Sequence, residues 1–286
     1  LVYMLAGMAL VGTSCSDFLD TIPHDALSPS TTWQTEKDAE KFLIGCYDGW
    51  ADETGILYWD CASDFGFNFH VHENYRNIGN GSMTASNAVA DYYKFGMIRR
   101  CNDFLTNIQN IEFADAKKKD NMIGQVKTIR AYTYFNMNWQ YGGVPIIDNV
   151  QNPIIGDSEG IHLVVPRSST KECIDFICKD LQTAADYLPA RWESENKNFG
   201  RITSGAALAL KGRVELLYAS PLFNRADDVT RWETAYQTNL AAVKKLEEGN
   251  FGLAYENNSG KNAAGWGKIF SDYIGSEGGG GTVSEA

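Results

Sequence analysis

Apolar residues recur along most of this chain at intervals of three and four, the period that gathers side chains onto one face of an α-helix. Ala39, Phe42, Leu43, Cys46 and Trp50 draw the first stripe, entered through a cap-like Thr35-x-x-Asp38 start. Tyr93, Met97, Cys101, Phe104, Leu105 and Ile108 repeat the pattern. A third stripe, Met122, Val126, Ile129, Tyr132, Phe135 and Trp139, runs along a segment from about Asp115 to Tyr141 that predicts a helix about 40 Å long. Gly142-Gly143 ends it, and Val144-Pro145-Ile146-Ile147 reads as a short extended piece because Pro145 biases the residue before it away from helix.

The next helix is announced by a capping box at Ser169-x-x-Glu172 and carries Ile174, Ile177, Cys178, Leu181, Ala185 and Leu188 before Pro189. Another starts at Thr203 and runs through Ala206, Ala207, Leu210, Val214 and Leu217 to Pro221. A last one opens at Thr230-x-x-Glu233, presents Tyr236, Leu240, Val243 and Leu246, and stops at Gly249. The pattern predicts a mostly α fold of tetratricopeptide-like helix pairs with long irregular loops. Trp232 and Tyr236 only partly echo the repeat signature of about 34 residues.

The front of the chain is different. Leu1 to Val11 is a nearly unbroken apolar run closed by Gly12-Thr13-Ser14-Cys15, which fits the apolar region and cleavage zone of a secretory signal and is too short to span a membrane. Residues 1–14 are therefore expected to be the remnant of a signal peptide. Small residues directly before a Cys resemble a bacterial lipobox, with Gly12 in the place usually held by Leu, so Cys15 is the expected lipid attachment site. Acyl chains would hold the protein on a membrane surface at about 0.8 kcal/mol per buried methylene.

Charge narrows the partners. With 36 acidic and 25 basic residues, the formal charge of -11 repels a phosphate backbone and argues against nucleic acid. Lys117-Lys118-Lys119, the longest basic run, reads as a solvated helix start. Beyond Cys15, Cys46, Cys61, Cys101, Cys173 and Cys178 are odd in number and lack C-x-x-C spacing, which argues against a disulfide framework or a closed zinc site and for small buried residues. Cys173 and Cys178 stand roughly 140° apart around a helix, too far to share a face.

Four motifs carry a family resemblance. Cys15-Ser-Asp-Phe-Leu-Asp-Thr21, followed by Trp33 and Asp38-Ala-Glu-Lys-Phe-Leu-Ile-Gly-Cys-Tyr-Asp-Gly49, is similar to the start of the SusD/RagB-like outer-membrane lipoproteins of the Bacteroidetes. Ile98-Arg-Arg-Cys-Asn102 resembles their I-x-x-x-N helix. Arg130-Ala-Tyr-Thr-Tyr-Phe-Asn136 continuing to Tyr141-Gly-Gly-Val-Pro-Ile-Ile147 resembles their R-A-x-x-Y-F helix and the turn after it, and Arg201 to Tyr218 is similar to a further helix. The resemblance covers residues 15–270, read as the N-terminal helical domain of a longer family member, with 271–286 a low-complexity tail at a truncation point. It implies a cell-surface, lipid-anchored protein of the outer membrane that captures oligosaccharides and hands them to a SusC-like TonB-dependent transporter.

Motifs for catalysis are sparse. No G-x-S-x-G elbow, Walker loop or H-E-x-x-H occurs, and no cofactor is implied. His70-Val-His72-Glu73 is the single metal-like cluster, and polar loop residues are the simpler reading, so no metal is assigned. Asp60 and Asp64 would act as a glycosidase pair only if the fold set their separation and raised one pKa.

The segment from Tyr58 to Arg76 concentrates aromatic rings with amide, carboxylate and guanidinium groups, the combination sugar recognition uses. Trp59, Phe67, Phe69, His72, Tyr75 and Arg76 are the candidate glycan contacts; the competing reading makes the rings a small core. Two function classes stand: a non-enzymatic glycan-capture lipoprotein, and an extracytoplasmic glycan hydrolase or non-binding helical adaptor.

Overall fold

The computed structural model describes residues 33–48, 50, 60–70, 75–87, 93–151, 164–193 and 195–252. The expected leader, Cys15 and the tail from 271 lie outside the described residues. In chain order the helices are α1 (Glu36–Tyr47), α2 (Tyr75–Gly79), α3 (Phe95–Asn107), α4 (Ala116–Tyr141), α5 (Thr170–Tyr187), α6 (Glu195–Asn198), α7 (Ser204–Ala219) and α8 (Val229–Glu248), with 3-10 turns at Asp60–Ala62 and Ile108–Asn110. No strand occurs among the described residues, and residues 144–147 form a loop instead of a ladder.

Helix starts follow the expected capping chemistry. The Thr35 hydroxyl accepts from the Asp38 amide, the Asp115 carboxylate from Lys117, and the Thr203 hydroxyl from Ala206. The box at Ser169 is complete: the Glu172 amide donates to Ser169 Oγ at 3.2 Å, and the Ser169 amide donates to Glu172 Oε2 at 2.7 Å. The start of α8 differs from expectation, because Asp228 takes the cap by accepting from the Thr230 amide at 3.0 Å. The helix therefore begins two residues earlier than expected, with Thr230 inside its first turn and its amide satisfied by the carboxylate.

Helix α4 runs through both halves of the core. One apolar cluster joins Leu43 and Cys46 of α1, Cys101 and Phe104 of α3, Val126 and Ile129 of α4, and Ala184 of α5. The other joins Ile98 of α3, Tyr134, Phe135 and Met137 of α4, Ile174, Ile177 and Leu181 of α5, and Val214 of α7. The single stripe read along α4 is therefore incomplete. Gln125, Thr128, Arg130, Thr133 and Asn138 are buried too, while Trp139 is exposed.

The later helices pack antiparallel. Near the start of α4, Gly124 faces Leu188 and Ala184 at the end of α5, and the Gly142-Gly143 turn at its other end meets Ser168, Ser169 and Thr170. Gly142 has φ +72°, a backbone that favours glycine. A Cβ on Gly143 would overlap the Ser168 carbonyl oxygen. Between α7 and α8, a Cβ on Gly205 would come within 2.6 Å of Leu246, and one on Gly212 within 2.6 Å of Asn239. Small residues line the facing side of α8: Ala235, Thr238 and Ala242 are buried, whereas Tyr236 and Val243, expected on the packed stripe, are exposed. Close helix approach explains the difference, because the glycines of α7 seat Leu246 and Asn239 of α8 beside these small residues, which leaves Tyr236 and Val243 on the outer side.

Two polar clamps tie these helices together. In the first, Arg130 on α4 donates from Nε and Nη2 to Asp180 on α5 at 2.7 and 2.9 Å, Lys127 adds a 2.6 Å contact, and Arg130 Nη1 donates to Asn102 Oδ1 on α3 at 2.7 Å. Asn102 Nδ2 in turn donates to the carbonyls of Ile147 and Asn149. The Tyr134 hydroxyl donates to the Ile147 carbonyl and accepts from its amide. In the second, the Tyr47 hydroxyl donates to Gln125 Oε1 at 2.9 Å and accepts from the Ile202 amide, while Arg201 donates to Gln125 and Glu40. Burial pushes the Tyr47 and Tyr134 hydroxyls up to about 12, so both stay protonated.

Candidate functional site

Between α1 and α3 the described chain forms a small unit in which the Asp60–Ala62 turn packs against α2. The approach is close: a Cβ on Gly79 would lie 2.9 Å from the Cys61 carbonyl oxygen. The Ser63 hydroxyl donates to the Asp60 carbonyl and accepts from the Phe65 amide, fixing the exit from the turn. Residues 66–70 then continue without helix or ladder.

In this stretch the side chains alternate. Phe65, Phe67 and Phe69 are 87%, 60% and 73% exposed, while Asn68 between the last two is 6% exposed. The spacing Phe-x-Phe-x-Phe thus leaves three rings in water within five residues. Asn68 Oδ1 accepts from the His70 amide at 2.9 Å. Arg76, on the first turn of α2, donates from Nη1 to the Phe69 carbonyl at 3.2 Å, and its guanidinium carbon lies 5.6 Å from the Phe67 ring centroid. The His70 ring sits 4.3 Å from that of Phe69.

Of the candidates read from sequence, Phe67, Phe69 and Arg76 are brought into one cluster, and Tyr75 lies half-buried at the first position of α2. Trp59 and His72 lie outside the described residues. The reading of Phe67 and Phe69 as core fails on exposure, since rings that pack a core lose most of their surface to neighbours. Phe65 and Asn68 were missed as site residues; the period-two spacing of the three phenylalanines is the signal that marks them.

Asp60 and Asp64 are both exposed. No group of three His, Cys, Asp or Glu side chains among the described residues is placed to hold a metal ion. What the cluster offers is contact: flat apolar faces for C–H groups, and the Arg76 guanidinium for hydroxyls.

The described parts of the four recognisable motifs sit elsewhere, in the scaffold. Ile98 is core, Asn102 and Arg130 form the first clamp, Tyr134 holds Ile147, and Arg201 belongs to the second clamp. Tyr93, expected to open the α3 stripe, precedes the helix and is half-exposed, its ring stacked 4.3 Å from Tyr141 with planes 2° apart. Trp139, expected in the core, carries Arg213 5.7 Å from its ring centroid. No helix among the described residues is long and apolar enough to cross a membrane.

Comparison with known proteins places the chain. The SusD-like family model described as "Starch-binding associating with outer membrane" matches residues 17–216. SusD-like protein P38 of Formosa agariphila is 24% identical over 211 residues, which is 71% of this chain and 39% of that protein. A crystal structure of a SusD-like protein from Bacteroides fragilis superimposes with a TM-score of 0.64 and 26% identity over 82% of this chain and 42% of that one. A SusD-like carbohydrate binding protein from the same species gives 0.59 and 25%, over 76% of this chain and 41% of its own. The chain spans about two fifths of the length of these relatives.

Proposed function

Given that this chain belongs to the SusD-like family, we propose that it captures oligosaccharides at the cell surface and delivers them to a SusC-like TonB-dependent outer-membrane transporter. The observation that carries the reading is the exposed row Phe65, Phe67 and Phe69 with Arg76 bonded behind it. Three large rings stand exposed among the described residues, and ring faces beside a guanidinium donor suit pyranose rings. The solved relative that is titled a carbohydrate binding protein supports the ligand class.

The role is binding without bond cleavage. The sequence lacks the common nucleophile, nucleotide and zinc motifs, and Asp60 and Asp64 both lie on the exposed surface. In this reading Cys15 bears the lipid anchor, and α4, α5, α7 and α8 are helix pairs of the tetratricopeptide kind.

The test is alanine substitution at Phe67 and Phe69, with Trp59 alongside, in the full-length protein, followed by oligosaccharide affinity and thermal stability on the same samples. Loss of a stacking ring should weaken binding by about 1 kcal/mol or more. The melting temperature should stay nearly constant for Phe67 and Phe69, because exposed rings contribute little to folding. Unchanged affinity in all three variants would move the glycan site elsewhere, and release of reducing ends by the wild-type protein would make it a hydrolase.

A further inference from the structure

The segment that bears the exposed phenylalanines is bracketed by two buried thiols. Cys46 lies in the last turn of α1 and Cys101 in the middle of α3; both are fully buried and belong to one core cluster. Both are free thiols, and Cys46 stands close enough to Cys101 to push its pKa up. Their chain neighbours meet as well, since Arg100 Nη1 donates to the Gly45 carbonyl at 2.6 Å. The two helices therefore touch at the level of the thiols.

The other core cysteine has a different partner. Cys173 Sγ donates to the Val144 carbonyl and accepts from the Val144 amide, each at 3.4 Å. Cys46 and Cys101, by contrast, share one core cluster. They also enclose residues 47–100, which include the whole stretch from Tyr58 to Arg76.

We propose that Cys46 and Cys101 are a disulfide-forming pair whose closure ties the two ends of the ring-bearing segment at its base. The proposal rests on the extracytoplasmic location in the functional reading above, because thiols on that side of the inner membrane meet an oxidising environment. Each thiol gives up its hydrogen, the two Sγ atoms bond, and two electrons with two protons reduce the disulfide of an exchange partner to two thiols. That partner is a thiol–disulfide oxidoreductase or a low-molecular-weight disulfide. The Cys46 thiol beside it and burial both push the Cys101 pKa up, so the attacking thiolate is scarce once the helices have closed. Exchange therefore belongs to the folding chain, before α1 and α3 seal the pair from solvent.

The experiment is thiol mapping on exported protein, acid-quenched from the cell envelope, denatured and alkylated before and after reduction, then digested and weighed. The expected result is a peptide linking Cys46 to Cys101, with neither residue alkylated until reductant is added. Reduction should lower the melting temperature of the wild-type protein by roughly 10 °C, the scale for opening a loop of about 55 residues. A Cys46→Ala/Cys101→Ala variant should show no response to reductant. Full alkylation of both residues without reduction, or their linkage to other cysteines, would overturn the proposal. Mapping needs only the exported wild-type chain, so it decides the matter even if the double variant fails to fold. It is carried out without ligand, and failure of the glycan reading would leave its result unaffected.

Discussion

Asp180→Ala is the sharpest test of how this fold is held. The Asp180 carboxylate is almost entirely buried and faces two cations: Arg130, itself 5% exposed, through two hydrogen bonds, and Lys127 through one. Removing the carboxylate leaves the Arg130 guanidinium desolvated with Asn102 as its remaining hydrogen-bond acceptor. Breaking one side of a buried ion pair in this way costs about 3–5 kcal/mol. Lys127 is less buried and can turn toward water, which holds the total within that range instead of doubling it. Urea unfolding should show a lower midpoint with an unchanged slope, and the melting temperature should fall by about 10 °C. Arg130→Met combined with Asp180→Leu removes both charges and should recover most of the loss, because no orphan ion remains. The reasoning would be refuted by a loss under about 1 kcal/mol for Asp180→Ala, or by strictly additive effects of the two sites in a double-mutant cycle.

Gly143→Ala drives a Cβ into the Ser168 carbonyl where the backbone after α4 meets the start of α5, and should destabilise by about 1–3 kcal/mol or more; a melting temperature equal to wild type would show that the turn yields. The carboxylates at helix starts set an acid limit. Glu36 is held below its usual range by its hydrogen bond to Lys118, Asp38 by Thr35 and then Lys41, Glu172 by Ser169, and Asp228 by Thr230. The unfolded chain takes up these protons first, so their stabilisation is complete above about pH 5 and is lost as pH falls through the lowered values; a melting temperature flat between about pH 5 and 3 would contradict this. At the alkaline end Tyr47 and Tyr134, raised to about 12, contribute stability that is present below about pH 10 and is lost as pH climbs through 12. Cys15→Ala should move the exported protein from the outer-membrane fraction to the soluble one, and unchanged fractionation would rule out an anchor at that residue.

The helices were legible because their caps and stripes are local. Thr35, Asp115, Ser169 and Thr203 each act on an amide two or three residues away, within reach of a sequence motif. Interactions that join distant residues were not legible. Nothing in the spacing of Asn102, Arg130 and Asp180 says that they meet, nor that Gln125 receives both Tyr47 and Arg201. The orientation of α8 was misjudged for a related reason: a hydrophobic scale favours Tyr236 and Val243 for the inside, whereas the close approach at Gly205 and Gly212 seats Leu246 and Asn239 there. At the candidate site, residue type marked the stretch in which the exposed rings stand. Which rings stay in water depended on the alternation that Asn68 enforces by turning inward. Cys46 and Cys101 show the same limit, since two helices must be docked before their proximity is visible.

The alternating row of Phe65, Phe67 and Phe69 bears on how such a scaffold diversifies. A position whose side chain is mostly hydrated is nearly invisible to selection for folding, whereas one in the Arg130 clamp is under that selection continuously. The row can therefore exchange Phe for Tyr, Trp or an aliphatic residue, one place at a time, while the helices behind it stay unchanged. Under the proposed function, drift along this row would alter which sugar is preferred without any passage through an unstable intermediate. The spacing of two would persist, because it belongs to the backbone, and the chemistry displayed on it would be free to vary between lineages.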